Sequence, residues 1–324
     1  MEHGPTIDAD VGAAPGRLLI VDGHAYAYRA FFAIRSLSSP TGEATNAIYG
    51  FIRMLAKARE RVRSSHVIVV WDGGLAEDRM TAHPEYKANR PEMPSDLEKQ
   101  LDQIVAYLRA ANIFSLMKDG CEADDCIAVI AAQAVEAGLE VVIASSDKDF
   151  MQLISSKVKM LNPNDKSEAL FGVEEVRRKT GVEPTQIVDW LSLIGDSVDN
   201  IPGVPGVGPK TAADLLRRFG SMEELYRRLP EVGSDRLRSS LEGAAAAVRR
   251  NQGLVRLNDE VECGVALEAL TNKSGNDEAL RQLFTRWGFR TLLRELEEKQ
   301  VRATDFFKGA DEPGCRPADL VRTE

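Results

Sequence analysis

Residues 17–22 read RLLIVD, a short apolar run that ends in a carboxylate and is followed by Gly23. An apolar run of this length, closed by a glycine, predicts a buried strand and its exit turn. The pattern recurs: residues 66–72 read HVIVVWD before Gly73-Gly74, and residues 139–147 read LEVVIASSD. Between these runs, residues 44–62 place Ile48, Phe51, Ile52 and Leu55 at helical spacing, with Arg53, Lys57, Arg59 and Arg61 on the other positions. Residues 95–111 and 122–137 also read as helices, and 112–117 as a weaker strand. Strands alternating with helices predict an α/β domain with a largely parallel sheet, in which ligands bind beyond the carboxyl ends of the strands. Three of the runs deliver an Asp to that edge.

Beyond residue 173 the character changes. Helix-like segments follow one another at 174–180, 184–194, 209–219 and 221–229, then an Ala- and Arg-rich stretch at 236–257. A short strand is expected only around 260–267. The expected division is a disordered lead-in at 1–16, an α/β core at 17–180, a helical region at 181–302 and a tail at 303–324. Residues 73–93 carry Arg79, Tyr86, Lys87 and Arg90 with almost no apolar periodicity. So long a stretch between a strand and a helix predicts a functional loop.

Acids gather at strand ends and helix starts: Asp22, Asp72, Glu122, Asp124, Asp125, Asp147, Asp149, Asp196 and Asp199. Glu122 and Asp125 are spaced i, i+3 and share a helix face, and Asp196 and Asp199 have the same spacing. Like charges this dense are unfavourable unless a cation neutralises them. A donor set made of carboxylates alone selects a hard cation, Mg²⁺ or Mn²⁺. Two such ions about 4 Å apart suit the displacement of a phosphodiester.

Residues 201–211 read IPGVPGVGPKT. Gly203, Gly206 and Gly208 permit close backbone approach. Pro209, Lys210 and Thr211 then open a helix whose amides suit a nucleic-acid phosphate. The spacing is not that of a phosphate loop, which excludes nucleoside triphosphate binding. Across residues 201–256 there are ten basic and six acidic side chains, a local excess suited to a duplex backbone.

The whole chain runs the other way. It has 324 residues and a formal net charge of −9, from 41 Lys and Arg against 50 Asp and Glu. Phosphate partners favour basic surfaces, but the nine clustered acids equal the entire deficit. No apolar run reaches the length of about 18 residues needed for a membrane span. The four cysteines, at 121, 126, 263 and 315, have neither metal-ligand nor disulfide spacing and read as a reduced, cytoplasmic thiol set.

The motifs LLIVDGHAYAYRAFFA, TNAIYGF, VVWDG, EYKANRPEMP, EADD, SDKDFMQL and GDSVDNIPGVPGVGPKTA run in order over about residues 17–300. Together they resemble the 5′ nuclease superfamily, in particular the 5′→3′ exonuclease domain of bacterial DNA polymerase I, which is similar to the flap endonucleases. The resemblance implies a PIN-like nuclease core with a twisted, largely parallel sheet. It also implies a helical arch at about residues 73–108 and a C-terminal helix–three-turn–helix region that binds DNA. The nine acids match the family's metal-site residues, for two Mg²⁺ or Mn²⁺ ions. Lys87 and Arg90 match arch residues that engage the scissile phosphate, and Tyr86 matches an arch tyrosine that orders the flap. Arg29, Arg79, Lys210, Thr211 and the glycines at 203, 206 and 208 are expected DNA contacts, with K⁺ held at the glycine-rich turn.

Two stretches depart from the family pattern. Ser145-Ser146 stands where Thr-Gly is common, and residues 75–78 lack the usual Thr-Phe before Arg79. No polymerase segment follows residue 302. The expected protein is thus a stand-alone, monomeric, cytoplasmic and nucleoid-associated 5′→3′ exonuclease and 5′-flap endonuclease. It would act on DNA flaps, nicks or 5′ ends, RNA primers included, alongside a separate DNA polymerase in replication and repair. Two rival readings are a PIN-type endoribonuclease and a non-catalytic, structure-specific DNA-binding protein. The first would not need the long glycine-rich turn, and the second would not need all nine acids.

Overall fold

Each of the three apolar runs forms a strand, and the sheet they build has further strands on both sides. The computed structural model describes residues 16–310, with side chains through residue 301. The lead-in before residue 16 and the tail beyond residue 310 lie outside the described residues. From β1 (Arg17–Asp22) the chain turns directly into α1 (Gly23–Ala33), continues through α2 (Asn46–Val62) and returns along β2 (His66–Trp71). Helices α3 (Glu77–Ala82) and α4 (Ser95–Ala110) lead to β3 (Phe114–Met117), and α5 (Ala123–Glu136) leads to β4 (Glu140–Ala144). Strands β5 (Val158–Leu161) and β6 (Leu170–Phe171) complete the sheet.

The strand order is β3-β2-β1-β4-β5-β6, parallel throughout except for the antiparallel edge strand β6. The chain builds outward from β1 in one direction, then returns to add β4 on its other side. That reversal opens a crevice between the carboxyl ends of β1 and β4. β5 and β6 are not foreshadowed by the apolar runs. β5 is only four residues long, and Lys159 in its middle is exposed while its neighbours are buried.

Alternation along the strands fills both faces of the sheet. Leu18 and Ile20 of β1 point into one apolar cluster with Ile127 and Ile130 of α5, whereas Leu19 and Val21 join Phe51, Leu55 and Leu108 on the other side. A strand buried on both faces needs an unbroken apolar run, which is why these strands are the most legible.

After the sheet come α6 (Val173–Thr180), α7 (Ile187–Ile194), the two-stranded hairpin β7 (Gly195–Asp196) and β8 (Ile201–Pro202), α8 (Pro209–Phe219) and α9 (Met222–Arg227). The long α10 (Asp235–Val255), α11 (Asp277–Trp287) and α12 (Arg290–Ala310) follow. The strand expected around 260–267 does not form: Val261 and Val265 pack singly against the core from irregular backbone, and Leu267 does so from the start of a 3₁₀ turn. Helix α12 also carries through residues 303–310, where a tail was expected. Among the described residues no helix is long and apolar enough to cross a membrane.

The β7–β8 hairpin depends on glycine at two points. Gly195 has φ +74°, and a Cβ there would lie 2.3 Å from the Gly203 nitrogen. A Cβ on Gly203 would lie 2.2 Å from the Ile194 carbonyl oxygen. Gly203 therefore serves the packing of backbone on backbone at the base of the hairpin.

Candidate active site

The crevice collects the acids from separate elements. Asp22 caps α1, its Oδ1 accepting from the Ala25 amide at 3.0 Å, while its Oδ2 accepts from Ser145 Oγ at 2.8 Å. The same Ser145 oxygen accepts from the Asp147 amide at 3.1 Å. One buried hydroxyl thus ties together the acids that leave β1 and β4. The Asp149 amide donates to Asp147 Oδ1 at 2.9 Å, closing the next turn. Asp196 and Asp199, spaced i, i+3, lie on no helix. Asp196 ends β7 and Asp199 lies in the turn to β8, where the Val198 amide donates to Asp196 Oδ1 at 2.9 Å.

Asp149, Asp196 and Asp199 are all buried, and each offers an oxygen within 4.8 Å of the others. The Oδ1 atoms of Asp72 and Asp149 are buried with no hydrogen-bond partner. Orphaned acceptors in a dense all-oxygen donor set fit a hard divalent cation. The electrostatics agree. Burial and the nearby charges of Asp147 and Asp72 outweigh the hydrogen bonds to Asp22 and push its carboxyl up to about 6. Burial, then the Asp147 charge, raises Asp124 and Asp149 well above the ordinary carboxylate range. Burial also raises Asp72, with Glu122 adding to it, and Asp147, where Asp199 and Asp196 add.

Basic side chains stand on the remaining acids. Lys87 Nζ pairs with Glu122, Arg90 Nη2 with Asp199 Oδ1 at 2.7 Å, and Lys148 Nζ with Asp196 Oδ2 at 3.0 Å. Burial alone would raise Glu122, but Lys87 and Arg79 outweigh it and hold the carboxyl below its usual range. The loop from residue 83 to 90 docks on the hairpin. His83 Nε2 is 2.9 Å from the Asn200 carbonyl oxygen, and the Lys87 amide donates to the Asp199 carbonyl at 3.0 Å. Asn200 Nδ2 donates to the Glu85 carbonyl at 2.8 Å, and Asn89 Nδ2 to Asn200 Oδ1 at 2.9 Å.

Three expected residues have different surroundings from those anticipated. Arg79, expected at the DNA, is 4% exposed and makes a bidentate pair with Asp125, at 2.7 and 2.9 Å. Asp125, expected at the metal, has its oxygens taken by Arg79 and by the Asn258 amide at 2.8 Å. Tyr86, expected at a flap, is buried in the core, its hydroxyl donating to Glu122 Oε2 at 3.2 Å. The acids at the start of α5 are thus covered by α3 and the loop that follows it.

Gly206, with φ +82°, and Gly208 face open space, and Lys210 is exposed at the start of α8. Trp190 Nε1 donates to the Pro209 carbonyl at 3.1 Å and fixes that helix start on α7. Within the basic region, Arg217, Arg227, Arg228 and Arg238 pair with acids three residues away. The local positive excess therefore rests on the others, Lys210 among them. Arg29 is exposed on α1 beside a cavity of about 250 Å³ shared with Lys57, Arg61 and Lys166.

Sequence reasoning passed over Ser145 as a link between acids, Lys148, and the docking residues His83 and Asn200. It also passed over Tyr28 and Phe32, stacked rings 6.4 Å apart on α1, of which Phe32 is 66% exposed. The i, i+4 spacing of two aromatics on α1 was the available signal for that pair.

Residues 17–181 match the 5′-3′ exonuclease N-terminal resolvase-like domain, and residues 182–278 match the 5′-3′ exonuclease C-terminal SAM fold. The chain belongs to the 5′-3′ exonuclease family. It is 37% identical over 281 residues to a 5′-3′ exonuclease of Aquifex aeolicus, covering 87% of this chain and 95% of that one. It is also 37% identical over 289 residues to DNA polymerase I of Bacillus subtilis, covering 89% of this chain. There it spans 33% of the polymerase. Among solved structures, the bacteriophage T5 flap endonuclease complex with DNA and metal ions is similar in fold. Its TM-score is 0.64 at 23% identity, over 83% of this chain and 98% of that one.

Proposed function

We propose that the protein is a divalent-metal-dependent 5′→3′ exonuclease and 5′-flap endonuclease. It hydrolyses phosphodiester bonds of DNA near junctions of single and double strand. The observation that carries this reading is the trio Asp149, Asp196 and Asp199, with oxygens within 4.8 Å of one another at the edge where Asp22 and Asp147 also arrive. Asp22, Asp72, Asp124, Asp147, Asp149, Asp196 and Asp199 are the residues to hold two Mg²⁺ or Mn²⁺ ions. Such ions, when bound, supply an activated water and neutralise charge at the reacting phosphate.

The protein's own groups do the rest. Lys87 and Arg90, borne on the loop docked at the hairpin, are aimed at the acids and carry positive charge to the phosphate as it reacts. The open turn at Gly206 and Gly208, the exposed amides at the start of α8 and Lys210 hold the duplex backbone, with K⁺ bound at the turn. Tyr28 and Phe32 offer ring faces to an unpaired base. The setting is removal of primers and flaps in replication and repair, by a monomer working beside a DNA polymerase in the nucleoid.

A labelled 5′-flap DNA, a nicked duplex and a single-stranded RNA, each with Mg²⁺ and with EDTA, test the proposal. Mg²⁺-dependent release of product from the two DNA substrates is the expected result. Cleavage of the RNA alone would assign a PIN-type ribonuclease, and binding without cleavage would assign a non-catalytic DNA-binding protein.

A further inference from the structure

One guanidinium joins three parts of the molecule. Arg79 extends from the short α3 at the base of the arch. Its Nη1 and Nη2 meet Asp125 Oδ2 and Oδ1 at 2.9 and 2.7 Å, and Nη1 lies 3.1 Å from Glu122 Oε2. Nη2 also donates to the Arg256 carbonyl at 3.0 Å, in the segment that leaves α10. The Asn258 amide of that segment donates to Asp125 Oδ1 at 2.8 Å. Gln152 clasps the same segment next to the Asp147–Asp149 turn, donating to the Val255 carbonyl and accepting from the Leu257 amide, both at 3.0 Å. Both charged side chains are almost wholly buried, at 5% and 3% exposure.

A planar guanidinium in bidentate contact with a carboxylate fixes orientation as well as distance. Here the orientation fixed is that of the first turn of α5. Asp124 is the residue before Asp125, and Glu122 stands at the N-terminus of the helix. We propose that Arg79 and Asp125 form a positioning pair. Asp125 is not a metal ligand and Arg79 is not a DNA contact. Together they hold Asp124 in the crevice and set the base of the arch so that Lys87 reaches it. The cleavage experiment rests on the nuclease reading, whereas the metal titration needs no catalysis, so the two can fail separately.

The first experiment titrates Mn²⁺ into the whole protein by calorimetry, comparing Asp124→Asn with Asp125→Asn. Loss of a binding site is expected for Asp124→Asn, whereas Asp125→Asn, which loosens the hold on Asp124, keeps the full stoichiometry with affinity lowered by about tenfold (equivalent to about 1.4 kcal/mol). A missing site in Asp125→Asn would overturn the proposal by making Asp125 a ligand, and an unchanged affinity would overturn it by showing that the pair does not hold Asp124. If Asp125→Asn does not fold, the double variant Arg79→Met/Asp125→Leu replaces the buried charges with apolar side chains of similar size. It is read in the same titration: full Mn²⁺ stoichiometry supports the pair, and a missing site overturns it.

The second experiment follows single-turnover cleavage of a 5′-flap DNA. Misplacement of reacting groups by as little as an ångström costs up to about a hundredfold, so Arg79→Met is expected to lower the maximal rate about tenfold or more with little change in substrate KM. In the Lys87→Ala background the same change should have little further effect, because the positioning acts through Lys87. Full additivity would overturn the arch part of the proposal. A reduced salt slope of DNA binding in Arg79→Met, measured with Ca²⁺, would make Arg79 a phosphate contact and overturn it as well.

Discussion

Asn89 and Asn200 meet across the mouth of the crevice, Nδ2 to Oδ1 at 2.9 Å. Asn200 sits at φ +57° and uses its side-chain amide and its backbone carbonyl to hold the loop that carries Lys87 and Arg90. Asn tolerates this left-handed backbone better than most residues. Asn200→Gly keeps the backbone, with its carbonyl contact to His83, and removes the two side-chain hydrogen bonds to Glu85 and Asn89. The expected outcome is faster amide exchange across residues 83–90 and a cleavage rate lowered by about tenfold, the order of effect for a mispositioned catalytic group. Hydrogen exchange followed by single-turnover kinetics checks both, and unchanged exchange would remove Asn200 from this role.

Lys87→Ala removes the cation that stands on Glu122. Removal of one preorganised charge at a reacting phosphate costs about 10²–10³ in rate. The chemical step should therefore slow by about that factor, while affinity for flap DNA, read by anisotropy with Ca²⁺, stays near that of the unaltered protein. An equal loss in affinity and rate would place Lys87 in ground-state binding instead.

Lys148 pairs with Asp196 inside the crevice. Lys148→Met leaves the buried Asp196 without its cation and lets a bound ion meet less repulsion. The metal-free protein is expected to melt at a lower temperature, and the rise in Tm on adding Mn²⁺ is expected to be larger than in the unaltered chain. Thermal melts with EDTA and with Mn²⁺ decide it. An unchanged pair of melting temperatures would show Lys148 to be a bystander.

The raised acids make both stability and metal loading depend on pH. Asp22 titrates at about 6 in the folded chain, against 3.8 for an ordinary Asp. Between those values the folded state holds more protons than the unfolded one, so this group's contribution falls as pH rises through the interval. Above about 6 the full penalty is present. Asp72, Asp124, Asp147 and Asp149 act in the same direction, and Glu122 acts in the opposite one. Cation binding requires the deprotonated carboxylates. The Tm increase produced by Mn²⁺ should therefore be small at about pH 5 and grow through about pH 6 to about pH 7.5. A pH-independent increase would mean that Mn²⁺ binds elsewhere.

Lys210→Ala tests the duplex site. Neutralising one phosphate-pairing cation lowers the slope of log K against log salt by about one. Binding to a nicked duplex should therefore weaken with a slope shallower by about that amount, and an unaltered slope would move the duplex to another face.

How far the sequence could be read follows from what each signal encodes. Strands β1, β2 and β4 were legible because burial on both faces demands unbroken apolar runs, and their Asp termini therefore marked the functional edge. β5 was not, because Lys159 interrupts four residues that pair only through the sheet. Periodicity correctly placed Glu122 and Asp125 on one side of α5. It could not say that Arg79, 46 residues away from Asp125, would cover that side. Tyr86 shows the same limit: an aromatic in a polar loop reads as exposed, and only its packing against α5 reveals a core residue. Asp196 and Asp199 come together through a hairpin turn, although their spacing matches a helical turn.

Lys87, Arg90 and Lys148 give the crevice counterions that are covalently part of the chain. Divalent ions that load there compete for carboxylates with ammonium and guanidinium groups that cannot diffuse away.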